Sequence, residues 1–521
     1  MKKIYIFIVA SLLMMASACT DDLDQQPHVG ASSGTVYSSI EGYQAVLAKI
    51  YGSYSLVGQG RAGDLDISGN KDYDLMRKLF NLQEAGTEET AMTWLSGSNM
   101  YGIVYITFDA TDPWVSDTYY RLYYSVALCN EFLRYCDEGT IGGFPQDQQA
   151  EIRSYAAEAR FIRALDYFYV LDLFGQGPFV DENTPTSGVI PEAYTNKQLF
   201  AFINSEIAAI SELLPETNSY ARACKAAAWA LGARLNLNGE VYTGESHATE
   251  CIDYCKKIIS SGRYSLEPEY AKLFNADNHL RTNEIIFAFA CDADKATTWG
   301  SGTYFVAGEC GSDSSQNPAD YGLEAGWGNF RVRGELPALF ENGDSRYMFW
   351  SDGQTQYFTN AIDTHTEGYY SEKWSNLTDD GVAASKSAAY GCNTDVPMFR
   401  LADVYLMAAE AVLRGGNGYS RADALGFVNL VRERAYGSTA GDISDAQLTL
   451  NFMLDERGRE MYLEWCRRSD LVRFDCFTTD KRLWQWKGGV LDGTAVNSRY
   501  NVYPIPATEL SANPNLKNAN Y

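Results

Sequence analysis

AEARFIRALDYFYVLDLFGQGP, residues 157–178, decides how the rest of the chain must be arranged. Phe161, Ala164, Leu165, Phe168 and the Leu171/Asp172 step follow the i, i+3, i+4, i+7 spacing of one helical face. Arg160 and Arg163 sit one turn apart, and Asp166, three residues beyond Arg163, is placed to pair with it. Gly175-Gln176-Gly177-Pro178 then ends the helix, with a glycine suited to a left-handed cap and a proline that cannot continue it. Phe161, Tyr167, Phe168, Tyr169 and Phe174 fall on more than one face, so other helices must pack around this one. These aromatics read as core rather than as a binding surface.

Working outward, the same texture recurs on both sides. Helical spacing is predicted over 37–57, 119–136, 146–174, 197–214, 221–237 (with Trp229 on the apolar side) and 248–260, and again over 399–413, 422–434 and 448–467. Glu284–Ala290, EIIFAFA, reads as a buried strand. Two stretches lack periodicity: 58–116, rich in Gly, Asp, Trp and Tyr, and 291–395, rich in Gly, Ser, Asp and isolated aromatics. Irregular spans this long are functional more often than they are connectors. The expected fold is mainly α, with a helical scaffold at 37–57, 119–260 and 399–467 that carries a loop-rich region from 58–116 and 291–395. The lengths suit stacked antiparallel helix pairs, although no clean internal repeat is visible.

Lys2-Lys3 followed by a short apolar run to Ala18 reads as an export signal over residues 1–18, too short to span a bilayer, which takes ~20 residues. Its removal deletes two lysines and moves the net charge from −25 to −27. A chain this acidic repels phosphate backbones, which makes nucleic acid a poor partner. Ala16-Ser17-Ala18-Cys19 matches the lipobox of bacterial lipoproteins, with Cys19 the acylated residue and a lipid the membrane link. Ten further cysteines in an exported chain allow disulfides, yet their spacings define no pairing, and buried thiols fit equally well.

Beyond these features, five stretches together resemble the SusD/RagB family of Bacteroidetes surface lipoproteins. They are the 157–178 helix, VPMFRLADVYLMAAEAVLR (396–414), GFVNLVRER (426–434), LDERGREMYLEWCRRSDLVRF (454–474) and YPIPATELSANPNLKNANY (503–521). With the lipobox, the resemblance covers nearly the whole chain and implies one family domain over 19–521. It also implies an α-α superhelix of TPR-like pairs, an anchor in the outer leaflet of the outer membrane, and delivery of captured nutrients to a SusC-like TonB-dependent transporter. Within the family the likeness is greatest to the starch-binding branch, notably over Phe474–Gly493 and the YNVYPIP segment. That branch holds malto-oligosaccharides on an arc of three aromatic side chains. The resemblance places Trp94, Trp299 and Trp327 on those positions and Arg77 on a sugar-contacting arginine. An asparagine expected beside the first ring falls on Gly97, with Asn99 nearby. The chemistry is compatible, because the axial C–H faces of glucose stack on a flat ring while Trp also offers an N–H donor.

The charges of 456–473 read as structural ion pairs that clamp helices and tail rather than as a catalytic set, mixed-sign helix charges being usually a paired, solvated face. Gly58–Gly63 fits G-x-G-x-x-G but lacks the strand and helix that a dinucleotide site needs. Asp64-Leu65-Asp66-Ile67-Ser68-Gly69, with Asp72, begins like a calcium loop, but Leu75 stands where the bidentate Glu belongs, so calcium is at most an outside option and no other cofactor is indicated. Four histidines, no HExxH and no G-x-S-x-G leave an enzyme little to work with. Glycoside hydrolysis and capture of a different glycan or a peptide are the competing functions.

Overall fold

The computed structural model describes residues 33–58, 65–67, 69, 73–296, 298–312, 314–385, 391–518 and 521. The signal segment, Cys19 and the Gly58–Gly63 motif beyond its first residue lie outside them, as do Asp64, Ser68 and Asp72 of the calcium-like run.

The scaffold is a succession of packed helices. They are α1 (Ile40–Ser55), α2 (Leu75–Glu84), α3 (Pro113–Arg134), α4 (Gln146–Phe174), α5 (Asn196–Leu213), α6 (Lys225–Leu237), α7 (Ala248–Ser260), α8 (Ser301–Glu309), α9 (Leu401–Leu413), α10 (Arg421–Tyr436), α11 (Leu450–Met461) and α12 (Arg467–Arg473). The packing runs α1 and α3 on α4, α4 on α5, α5 on α6, α6 on α7, α7 on α9 and α9 on α10, the order of stacked antiparallel pairs winding into a superhelix. α4 is its axis. From Phe161 to Phe174 every residue is buried, and Gly175 closes the helix in the left-handed region (φ 69°), its N–H donating to the Leu171 carbonyl at 2.9 Å.

The arginines of α4 choose partners other than the one expected from spacing. Arg163 turns to Glu206 on α5 and to Glu182, while Asp166 accepts from the Tyr54 hydroxyl of α1 at 2.6 Å. The two side chains serve different neighbouring helices, so the i, i+3 pair does not form. Trp229, expected on the packed side of α6, is half-buried, with the Lys257 ammonium 6.0 Å from its ring.

Strands are few and short. β2 (Ile285–Phe289) pairs antiparallel with β4 (Val396–Arg400), and both are wholly buried. Helical spacing therefore overran the start of α9 by a few residues, because a short buried apolar run reads alike as strand or helix. β1 (Ala91–Met92) pairs with β3 (Phe330–Arg331) and joins the two irregular regions. Both regions also hold a helix: α8 is buried on every side, so no alternation marks it, and α2, whose Leu75, Met76, Leu79, Phe80 and Leu82 keep helical spacing, spans only 10 residues of an otherwise irregular stretch. Cys129, Cys251, Cys255 and Cys466 are buried free thiols.

The charges of 456–473 are paired, but they are not a solvated face. Glu460 is fully buried and meets Arg346, Arg400 and Arg434; Glu456 meets Arg346, Arg432 and Arg459. Asp403 joins Arg234 to Arg457, and Asp470 joins Arg457 to Arg473. α11 and α12 thus run through the interior, the α11 carboxylates Glu456 and Glu460 matched by arginines from β4, α10 and the loop at Arg346.

Candidate functional site

The three nominated tryptophans come to one place, at the edge where the irregular regions meet. The β1/β3 ladder (Ala91 opposite Arg331, Met92 opposite Phe330) runs on into a hydrogen bond from the Thr93 N–H to the Asn329 carbonyl at 2.9 Å. One residue further, the Trp94 indole N–H points at the Trp327 carbonyl at 3.4 Å. A two-residue ladder thereby joins positions 233 apart in sequence. Trp327 is stapled in turn to α8, its N–H donating to the Ala307 carbonyl at 2.7 Å. Gly326 is required there: a Cβ would stand 2.4 Å from the Cys310 carbonyl oxygen. The Trp299 and Trp327 rings lie 6.1 Å apart, inclined by 39°. Trp94 is 46% exposed, and the other two are half-buried.

Arg77 lies beneath these rings. Only 5% exposed, it donates from Nη1 to the Trp299 carbonyl at 2.7 Å. Its guanidinium sits between the rings of Tyr73 (3.6 Å) and Tyr304 (4.0 Å). Tyr73 stacks on Trp114 at 5.5 Å, and the Trp114 indole N–H donates to the Ser98 carbonyl of the turn that follows Trp94. One stack of planar groups thus spans from the Trp94 turn to the Trp299 loop. This placement gives Arg77 a positioning task and leaves little of it to meet a sugar directly.

Asp74 completes the support. It caps α2 by accepting from the Arg77 N–H at 2.9 Å, and it takes the hydroxyls of Thr298 and Ser301 at 2.7 and 2.9 Å. Burial raises its carboxyl above the usual range, and these hydrogen bonds hold the rise in check. Gly300 has to be glycine, since a Cβ would lie 2.2 Å from the Asp74 carboxylate. On the other flank Arg331 is fully buried and donates to the carbonyls of Ile362, Thr364 and Glu367. That closes the 362–367 loop and sets the His365 ring edge-on to Trp94 at 5.8 Å. Burial, with no carboxylate bound directly, brings the Arg331 guanidinium down to about 10.

Chemically, the surface offers flat apolar faces tilted relative to one another. Gly97 faces open space, and Asn99 is exposed in the left-handed region (φ 55°) at the end of the turn after Trp94. Among the described residues no group of three or more His, Cys, Asp and Glu side chains could hold a metal ion. The supporting residues Tyr73, Asp74, Tyr304, Arg331 and His365 escaped the sequence. The one available signal was Asp74, a helix-capping residue just before LMRKLFNLQE.

Comparison with known proteins places these features in context. The sequence profile described as the SusD family matches residues 350–521. The chain is 33% identical to the starch-binding protein SusD of Bacteroides thetaiotaomicron, over 98% of this chain and 96% of that protein. It is 23% identical to a SusD-like protein of Bacteroides ovatus over 93% of this chain and 86% of that one. Among solved structures, surface glycan-binding protein A from Bacteroides thetaiotaomicron superposes with a TM-score of 0.71 at 20% identity, covering 94% of this chain and all of that one. The same protein in complex with laminarihexaose gives 0.70 at 21% identity, covering 92% of this chain and 99% of that one. At these identities the two structures share the fold.

Proposed function

This chain belongs to the SusD family, and from that premise we propose that it captures starch-type α-glucan on the outer face of the cell and delivers it intact to a TonB-dependent transporter. The observation that carries this reading is the convergence of Trp94, Trp299 and Trp327, from three separate loops, on one partly exposed edge. Tilted rings suit a curved chain of sugars, each presenting an apolar face to an indole and its hydroxyls to the rim. Loops held by a rigid helical stack are where such a site is best built. The starch-binding name of the 33%-identical relative favours malto-oligosaccharide as the ligand.

The chain is read as binding without cleaving. Its relatives are named as binding proteins, and the Asp74 carboxylate and Ser301 hydroxyl beneath the rings are fully buried and spent on each other as support. A titration of the purified chain with maltoheptaose should release saturable heat and produce no new reducing ends. Absence of saturable binding would overturn the reading, and turnover that survives stringent purification would replace it with glycan hydrolysis. Laminarihexaose as a second ligand tests the choice of glucan.

Membrane attachment rests on Cys19. Among the described residues no helix is long and apolar enough to cross a bilayer. Cys19→Ser should release the protein from the membrane fraction or leave the precursor uncut, and external protease should reach the parent on intact cells. A Cys19→Ser protein that still fractionates as a mature lipoprotein would contradict the anchor.

A further inference from the structure

A second set of rings lies beside the tryptophan cluster. Tyr101 and Tyr105 have ring centroids 5.9 Å apart, inclined by 39°, and Tyr105 and Trp486 have theirs 5.9 Å apart, inclined by 38°. The spacing and tilt repeat those of Trp299 and Trp327, 6.1 Å and 39°. Tyr101 is 44% exposed, and Tyr105 and Trp486 are half-buried. On this geometry, and resting on the reading of the tryptophan cluster as a glycan site, we propose that Tyr101, Tyr105 and Trp486 form a second subsite that binds the continuation of the same glucan chain.

The loop that presents Trp486 is built at a conformational cost. Trp486 itself stands in the left-handed region (φ 67°), where a bulky side chain is a genuine outlier. Gly488, Gly489 and Gly493 are also at positive φ, and the loop closes through the Trp486 N–H to the Val490 carbonyl at 3.0 Å and the Gly489 N–H to the Trp486 carbonyl at 3.1 Å. Lys487, with no exposed surface, pins it from within by donating to the carbonyls of Cys476, Thr479 and Arg482. Strain of this kind concentrates where a side chain must be held in a set place for a ligand. Gly489 lies against the Tyr105 ring, where a Cβ would sit 3.7 Å away, so the loop and the ring are fitted to each other.

The two ring sets are linked by shared elements. Trp94 and Tyr101 flank the single turn Leu95–Ser98, seven residues apart, so no more than about 25 Å of extended chain separates them. The 362–367 loop held by Arg331 lies between the sets. Its His365 touches Trp94, and its Asp363 is near enough to Tyr105 that the carboxylate, after burial, contributes to raising the phenol above its usual value. Asp363 is partly exposed and supplies an acceptor for sugar hydroxyls between the two sets of faces. A short oligosaccharide would fill the tryptophan cluster alone, and a longer chain would cross the loop and stack on the second set.

The test uses ligands of two lengths on the intact mature chain. Tyr101→Ala, Trp486→Ala and the double variant are compared with the parent by calorimetry with maltotriose and by retardation in native gels containing amylopectin. The double variant should bind maltotriose as the parent does and lose at least fivefold in apparent affinity for amylopectin, with Trp486→Tyr restoring most of that loss. Tyr101 is exposed, so Tyr101→Ala alone should melt with the parent and still show part of the effect. Retardation of the Tyr101→Ala and double variants equal to the parent's overturns the second subsite while leaving the tryptophan site standing; such a result would point to a protein partner for these rings. A parent that binds neither ligand overturns the reading of the tryptophan site and this proposal with it.

Discussion

The arginines on and around α11 and the cations that hold the chain around the rings are buried against different partners. On and around α11, Arg346, Arg400, Arg432, Arg434 and Arg457 meet carboxylates, and Arg346, Arg400 and Arg457 are held well above the ordinary arginine value because those carboxylates outweigh burial. Around the rings Arg77, Arg331, Arg333 and Lys487 donate to backbone carbonyls instead. Burial brings Arg331 and Arg333 down to about 10 and Lys487 down to about 8. A carboxylate fixes one helix against another. A cation that gathers carbonyls fixes the path of a chain that has no ladder of its own. The first device builds a frame, and the second shapes loops that must hold rings at a surface.

Breaking one member of each device should separate their roles. Glu460→Ala takes one shared carboxylate from Arg346, Arg400 and Arg434, which keep only Asp344 and Glu456, Glu284 and Glu464, and Glu284 respectively. Removal of one partner from such a buried set costs about 3–5 kcal/mol. The denaturation midpoint should fall accordingly, while protein still folded binds maltoheptaose like the parent. An unchanged midpoint would show that the network does not hold the frame. Arg331→Met should cost less, about 1–3 kcal/mol for carbonyls left without donors. It should also weaken glucan binding, because the 362–367 loop that sets His365 against Trp94 is released. Calorimetry and melting on the same samples check this, and lost stability with intact binding would remove Arg331 from the support of the site.

Proton linkage sharpens the comparison with a smaller effect. Arginine neighbours outweigh burial and hold Glu88, Glu410 and Glu456 down to about 2. A depressed carboxyl contributes its stability fully above the unfolded value of 4.5 and loses it as pH falls toward 2. Glu84, where α2 meets α12, behaves in the opposite way. Burial pushes it up to about 7, so its contribution is complete below 4.5 and is lost as pH rises through 7. The melting temperature should therefore peak between about pH 5 and 6 and decline on both sides. Glu84→Gln, which keeps an acceptor for the Cys466 and Arg467 N–H groups, should flatten the decline toward neutral pH. A Glu84→Gln profile that matches the parent's would place that proton elsewhere.

The same contrast explains what could be read from the residues. α7 lies at the bounds its spacing predicts, Ala248–Ser260, and β2 falls within one residue of Glu284–Ala290, because each shows one clear pattern. α2 left a pattern too short to stand out, Leu75, Met76, Leu79, Phe80 and Leu82 over 10 residues of an irregular stretch, and the burial of Arg77, Lys78, Asn81, Gln83 and Glu84 on its polar face was hidden. The interior position of Glu456 and Glu460 was equally hidden, since it depends on Arg346 and Arg400, far away in sequence. The tryptophans were nominated by family likeness alone. A two-residue ladder at β1/β3 and a carbonyl-bound Arg77 leave no periodicity that could have paired Trp94 with Trp327.

The most direct test of the whole account is one titration performed on two proteins. Maltoheptaose is added to the parent and to Trp327→Ala, and each sample is then melted. Loss of a ring anchor should cost about 2 kcal/mol of binding, roughly thirtyfold in dissociation constant, with the melting temperature almost unmoved because the indole is only half-buried at the rim. A Trp327→Ala protein that binds maltoheptaose like the parent, or that loses binding only because it has unfolded, would contradict a rigid frame carrying a separate ring surface for glucan.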